Sequence, residues 1–351
     1  MSNLVLLNRF VLILFCFFSF FSCRKNIEHS IKKETIYTVE NEVVDTLFDW
    51  IQVYNDELSF VGCLEVFNNE LYVGGKGLFR ISNDQQFHNG LNNQLSSFET
   101  VLAMEKYNSE LIIAGTFNPI RVDIYGNSTG INFTPNDYFY EIRGIDSLSS
   151  SELLFFGVHT YATPAPGYTK RFIEITENYV AQQIPDLSYD GNFWGGVRCS
   201  LASNDLLVYA DNEKLVSWDG TGWNTYNEPE LEGAIASMIY YNNELFVYGS
   251  FTTGSGIKKR DAFGVWHNFH SVSTPTTSYP SGKFRIVDNE LYLVSHSLYI
   301  NNIESSIIKL EAGNWLRLGT FTGKVNDIIQ YNGTLYLASQ NGLYKYGSMH
   351  Y

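Results

Sequence analysis

The stretch Val325–Tyr346, VNDIIQYNGTLYLASQNGLYKY, holds three short strand-like segments separated by two tight turns. Val325–Tyr331 runs into Asn332-Gly333, Leu335–Ser339 alternates large and small side chains, and Gly342–Tyr346 follows the second turn. An apolar strand that runs into such a turn and is followed by a second apolar strand reads as a strand–turn–strand unit. The same turn, closed by Leu, recurs through the chain. It reads NNEL at Asn68–Leu71, NSEL at Asn108–Leu111, SSEL at Ser150–Leu153 and SNDL at Ser203–Leu206. It continues as NNEL at Asn242–Leu245, DNEL at Asp288–Leu291 and NGTL at Asn332–Leu335. The closing leucines are 40, 42, 53, 39, 46 and 44 residues apart.

A period of this length built from short strands predicts a β-propeller. Seven turns predict an all-β fold of seven blades with four strands each, lettered A to D outward from the axis. The last repeat lacks a fourth strand before the chain ends at Tyr351, whereas Leu47–Val53 precedes the first repeat. Its Trp50 matches Trp223, Trp266 and Trp315, which open or lie in the D segments of other repeats. The N-terminal segment is therefore expected to serve as the outer strand of the last blade. Such a strand would close the ring and remove an edge that could pair with another chain.

The chain has 351 residues and a net charge of −14. That charge argues against nucleic acid as a partner, since phosphate contacts need a basic surface. Phe and Tyr number 25 and 24, as suits strands that stack broad side chains between sheets. Val11–Phe21 is apolar except for Ser19, follows Arg9, and is too short to span a bilayer comfortably. Residues 1–22 read as a signal peptide. Phe20-Phe21-Ser22-Cys23 resembles the lipobox of bacterial lipoproteins, with Phe20 where Leu is usual. The resemblance implies lipidation at Cys23 and an extracytoplasmic, outer-membrane location; polar and charged composition predicts a tether over 23–43, and the repeats predict a propeller over 44–348. Cys63 and Cys199 fall in repeats one and four, too far apart in a ring for a disulfide, and are expected as free buried thiols.

Tyr331–Gly347 and Leu71–Ser82 resemble the propeller repeats of two-component sensor ectodomains. Val247–Trp266 and Val216–Trp223 resemble kelch-like, galactose-oxidase-type repeats. Neither family has one chemistry, so the resemblance implies a fold and not an activity. Ser217–Trp223 is also similar to the Asp-box of sialidase propellers, which is a structural turn.

No HExxH, CxxC, EF-hand loop or P-loop is present, so neither metal nor cofactor is expected and no catalytic residue is assigned. His267 and His270 lie three apart in a strand segment and should face opposite sides. Arg143, Arg198 and Arg285 lie in or beside A strands; they keep open an alternative, a carbohydrate-active hydrolase or lyase with an axial site. The B–C and D–A loops share one face. The long ones are Val158–Lys170, Pro185–Gly196, Gly249–Asp261 and Ser271–Gly282. They carry Tyr161, Tyr168, Tyr189, Phe193, Trp194 and Tyr279, aromatic candidates for contact with a ligand. The expected function is that of a monomeric, non-enzymatic binding module for a glycan, a peptide or another envelope protein.

Overall fold

The computed structural model describes residues 36–39, 42–45, 49–53, 58, 60–82, 87–89, 99–131, 141–149, 152–161, 167–176, 181–187, 198–202, 205–210, 214–219, 221–226, 228–252, 254–271, 280–297 and 304–347. The signal segment, Cys23, Tyr189, Phe193, Trp194 and Tyr279 lie outside them. Among the described residues the elements are strands, apart from one 3-10 turn at Pro229–Leu231. No helix among the described residues is long and apolar enough to cross a membrane.

Among the described residues the strands form seven up-and-down sheets, antiparallel except for one added N-terminal pairing. Their first strands are Val61–Phe67, Val101–Tyr107, Glu141–Ser149, Arg198–Ala202, Gly233–Tyr241, Pro280–Val287 and Val325–Tyr331. Each first strand packs against the first strand of the next sheet, and Val325–Tyr331 packs against Val61–Phe67. The N-terminal segment behaves as its Trp suggested. Asp49–Val53 pairs antiparallel with Leu343–Gly347, placing Trp50 opposite Tyr346 with ring centroids 5.0 Å apart. Within and beside the segment read as a tether, Ile36–Val39 and Glu42–Asp45 form a hairpin. Glu42–Val44 adds in parallel to the outer strand of the sixth sheet, at Trp315–Arg317.

The repeated turn is the local device that sets register. Asn68-Asn69, Asn108-Ser109, Asn242-Asn243, Asp288-Asn289 and Asn332-Gly333 all have positive φ at both positions. This is the type I′ geometry whose twist matches a two-residue hairpin, and Asn, Asp and Gly tolerate it best. The register that follows buries the closing leucines Leu71, Leu111, Leu153, Leu245 and Leu291. Burying each such side chain contributes about 1.5–3 kcal/mol.

The cores lie between successive sheets rather than inside one. Leu64, Leu71 and Val73 of the first sheet pack with Ile329, Tyr331 and Leu343 of the seventh. Ala103 and Ile112 of the second pack with Ile145 and Phe155 of the third. Glycine permits the closest approaches. A Cβ on Gly75 would sit 2.0 Å from the Phe60 carbonyl oxygen, and one on Gly115 1.8 Å from that of Thr100.

Two expected loops are instead hairpins. Glu152–Tyr161 pairs with Gly167–Thr176 to its last residue, Tyr161 opposite Gly167, so most of Val158–Lys170 is strand. Glu244–Phe251 pairs with Gly254–Arg260, so Gly249–Asp261 is likewise strand around a short turn. Continued alternation and Gly254 and Gly256 at positive φ let the strands run on where Thr, Gly and Ser suggested a loop.

Candidate functional site: an axial cavity

The first strands of neighbouring sheets run side by side in the same direction at matched levels. At one end, Asn326 Nδ2 donates to the Val61 carbonyl oxygen at 2.7 Å. At the hairpin end, the Tyr331 hydroxyl donates to the Asn69 carbonyl oxygen at 3.0 Å, and the Tyr241 hydroxyl to that of Asn289 at 2.8 Å. The contact between the seventh and first sheets thus repeats the contact between the fifth and sixth.

These strands surround a cavity of about 870 Å³. Five of them carry a register shift near the start, at Val61/Cys63, Val101/Ala103, Ile142/Gly144, Ile235/Ser237 and Val325/Asp327. A bulge re-aims the extra residue. Four of the five extra residues, Gly62, Leu102, Arg143 and Asn326, line the cavity, whereas Ala236 is buried in a core.

The wall carries a charge network. Arg285 donates through Nη2 to Glu65 Oε2 at 2.5 Å and to the Leu64 carbonyl oxygen at 3.0 Å. Its Nε lies 3.7 Å from Asp327 Oδ1. Lys283 Nζ sits 2.8 Å from Asp327 Oδ2, which also accepts the Leu64 N–H at 3.2 Å. Lys106 Nζ lies 3.4 Å from Glu65 Oε1. Burial alone would raise the Asp327 carboxyl, but Lys283, Arg285 and the Leu64 N–H hold it below the ordinary carboxylate range. Burial likewise opposes the charge on Arg285; Asp327 and Glu65 outweigh it and push the guanidinium above its ordinary value. The carboxylates are recessed, with side chains 6% and 1% exposed for Glu65 and Asp327, whereas those of Lys106 and Lys283 are 58% and 40% exposed.

Of the arginines singled out by sequence, Arg143 and Arg285 line this cavity. Arg198 opens the inner strand of the fourth sheet, and its side chain is outside the described residues. Arg285 is committed to wall carboxylates and a carbonyl, so it braces the wall rather than standing ready for a substrate. Lys106, Lys283, Glu65 and Asp327 were not singled out by sequence. Their common signal is a charge inside an otherwise apolar inner strand: Glu65 and Arg285 both stand six residues before a closing Leu, Lys283 and Asp327 both eight.

Of the aromatic candidates, Tyr161 ends one strand and Tyr168 sits opposite Thr160 in the next, so the third sheet brings them to one hairpin. Tyr189, Phe193, Trp194 and Tyr279 are outside the described residues. Cys63 is a free, buried cysteine whose thiol burial pushes up to about 12, with Asp327 nearby adding to the shift. Cys199 lies in the strand Arg198–Ala202. The Asp-box-like turn is a turn: Asp219 Oδ1 accepts from Thr221 N at 2.8 Å, Thr221 Oγ1 at 2.7 Å and Gly222 N at 2.9 Å. Asn224 donates to its other oxygen at 2.7 Å. The Thr221 hydroxyl and these other donors hold the Asp219 carboxyl well below its usual range. Asp123 and Asp261 organise equivalent turns in the second and fifth sheets. Among the described residues no group of three or more His, Cys, Asp or Glu is placed to hold a metal ion.

Neither a protein family nor a curated protein matches the chain by sequence. Solved structures do match. One is YCF48 bound to D1 peptide, with a TM-score of 0.57 and 13% identity over 86% of this chain and 96% of that one. Another is the β-propeller domain of Cps50 (Swd1) from Myceliophteria thermophila, with a TM-score of 0.54 and 11% identity over 86% of this chain and all of that one. At these identities the likeness shows the fold: the chain is a β-propeller.

Proposed function

We propose that the chain is a lipid-anchored, extracytoplasmic propeller of seven blades that binds a peptide segment of another envelope protein. The observation that carries the binding role is the cavity of about 870 Å³ lined by the inner strands of six sheets. A concave site built on rigid strands suits recognition. YCF48, which shares the fold, is described with a bound peptide, and this supports a peptide over a glycan. Seven sheets, the outer strand Asp49–Val53 and the repeated Tyr hydroxyl contact support a closed ring.

The aromatic candidates fit the same reading. Tyr279 directly precedes the inner strand that starts at Pro280, and Trp194 stands four residues before Arg198. Anchoring rests on the signal segment and on Ser22-Cys23.

The test is a random-peptide array and a glycan array probed with the full-length chain in detergent micelles. Binding to peptides supports the reading. Binding to glycans alone contradicts it.

A further inference from the structure

We infer that the axial cavity selects an acidic peptide segment, an inference that rests on the peptide-binding reading above. The chain as a whole is strongly acidic, with a net charge of −14. Its cavity is not. The lining holds five cationic side chains, Lys106, Arg143, Lys283, Arg285 and Lys324, against the carboxylates Glu65, Glu105 and Asp288. Burial sharpens the asymmetry. Glu65 and Asp327 lie behind the surface, 6% and 1% exposed, while the Lys106 and Lys283 side chains in front of them are 58% and 40% exposed. Over this network a ligand meets the Lys106 and Lys283 ammonium groups before the Glu65 and Asp327 carboxylates.

The two buried acids are also neutralised in place. Glu65 is held by Arg285 and Lys106, and Asp327 by Lys283 and Arg285. Both carboxylates are paired within the wall. The cations are spread along the axis. Lys324 immediately precedes the inner strand Val325–Tyr331, and Arg143 lies near the start of Glu141–Ser149. Lys106 is the penultimate residue of Val101–Tyr107, at the hairpin end. An extended chain rises about 3.3 Å per residue, so carboxylates at alternate positions of a peptide could meet successive cations. Between them Val66, Tyr240 and Ile286 offer apolar contact, Ile286 being 43% exposed.

The test uses three fluorescein-labelled decapeptides, alternating Gly with Glu, Gln or Lys, titrated against the full-length chain in micelles by fluorescence anisotropy. The Glu peptide should bind at least about tenfold more tightly than the Gln peptide, and the Lys peptide should not bind. Raising salt from about 0.05 M to about 0.5 M should weaken the Glu peptide by a similar factor. Lys106→Gln and Lys324→Gln should each lower its affinity about threefold to tenfold in protein that still melts cooperatively, and Lys106→Arg should restore it. No binding of the Glu peptide, equal binding of the Glu and Gln peptides, or unchanged affinity in both Gln variants would each overturn the inference. Peptides bound on the array without acid preference would overturn it while leaving the peptide-binding reading intact.

Discussion

Arg285 of the sixth sheet reaches past the seventh to bond Glu65 of the first at 2.5 Å. The two residues are 220 positions apart in sequence and belong to sheets that are not neighbours. Together with Asp327 of the seventh sheet, they tie three inner strands across the place where the end of the chain meets its beginning.

Removing Arg285 should therefore cost more than its size suggests. Arg285→Met leaves two recessed carboxylates without their shared partner, which typically costs about 3–5 kcal/mol. Urea unfolding should show that loss, and adding Glu65→Gln should recover part of it. A loss below about 1 kcal/mol would mean that the network does not brace the wall.

The same network predicts an acid limb. The Asp327 carboxyl titrates below its ordinary value of 3.8 in the folded chain. A depressed carboxyl contributes stability above its unfolded pKa and loses that contribution as pH falls through the folded one. Stability measured from pH 5 downward should fall in the native chain and fall less steeply in Asp327→Asn, although that variant starts from a lower value.

The hairpin turns offer a local test. Asn243 holds φ at 62°. Asn243→Ala should destabilise by about 1–2 kcal/mol, the cost of a Cβ in the left-handed region, whereas Asn243→Gly should be near neutral. Equal effects of the two changes would count against the type I′ assignment.

Much of this architecture is written in the sequence because a type I′ turn leaves a local mark. Asn68-Asn69 and Asn332-Gly333 announce their hairpins, and Trp50 announces an outer strand by matching Trp315. The long hairpin at Tyr161–Gly167 was not legible. Its Thr, Pro and Gly residues carry loop chemistry, whereas pairing across the hairpin fixes its strands. The charge network was hidden for another reason. Glu65, Lys283, Arg285 and Asp327 come together only when the first strands converge on the axis, and no local pattern marks that convergence. Aligning repeats on the closing Leu would have shown charges at inner-strand positions that are apolar elsewhere, Glu65 against Ile239 and Ile329.

Cys63 should be inert while the chain is folded. Its thiol is buried and pushed up to about 12, so the reactive thiolate is scarce at neutral pH. Peptide mapping after iodoacetamide treatment should find Cys63 unlabelled in the native chain and labelled after denaturation. Native labelling, or a link to Cys199, would contradict the packing between the first and second sheets.

Anchoring is checked at one position. Cys23→Ala should release the chain from membranes or block its maturation, with loss of labelling by a clickable fatty acid. Retention with undiminished lipid labelling would remove the anchor from the account.

The most direct test of peptide capture on the axis is site-specific photocrosslinking. p-Benzoylphenylalanine is placed in turn at Ile286, which lines the cavity, and at Phe263, which is 92% exposed on an outer turn. With the labelled Glu decapeptide, crosslinking is expected from position 286 and not from position 263. Crosslinking from 263 with none from 286 would place the peptide outside the ring and contradict the account.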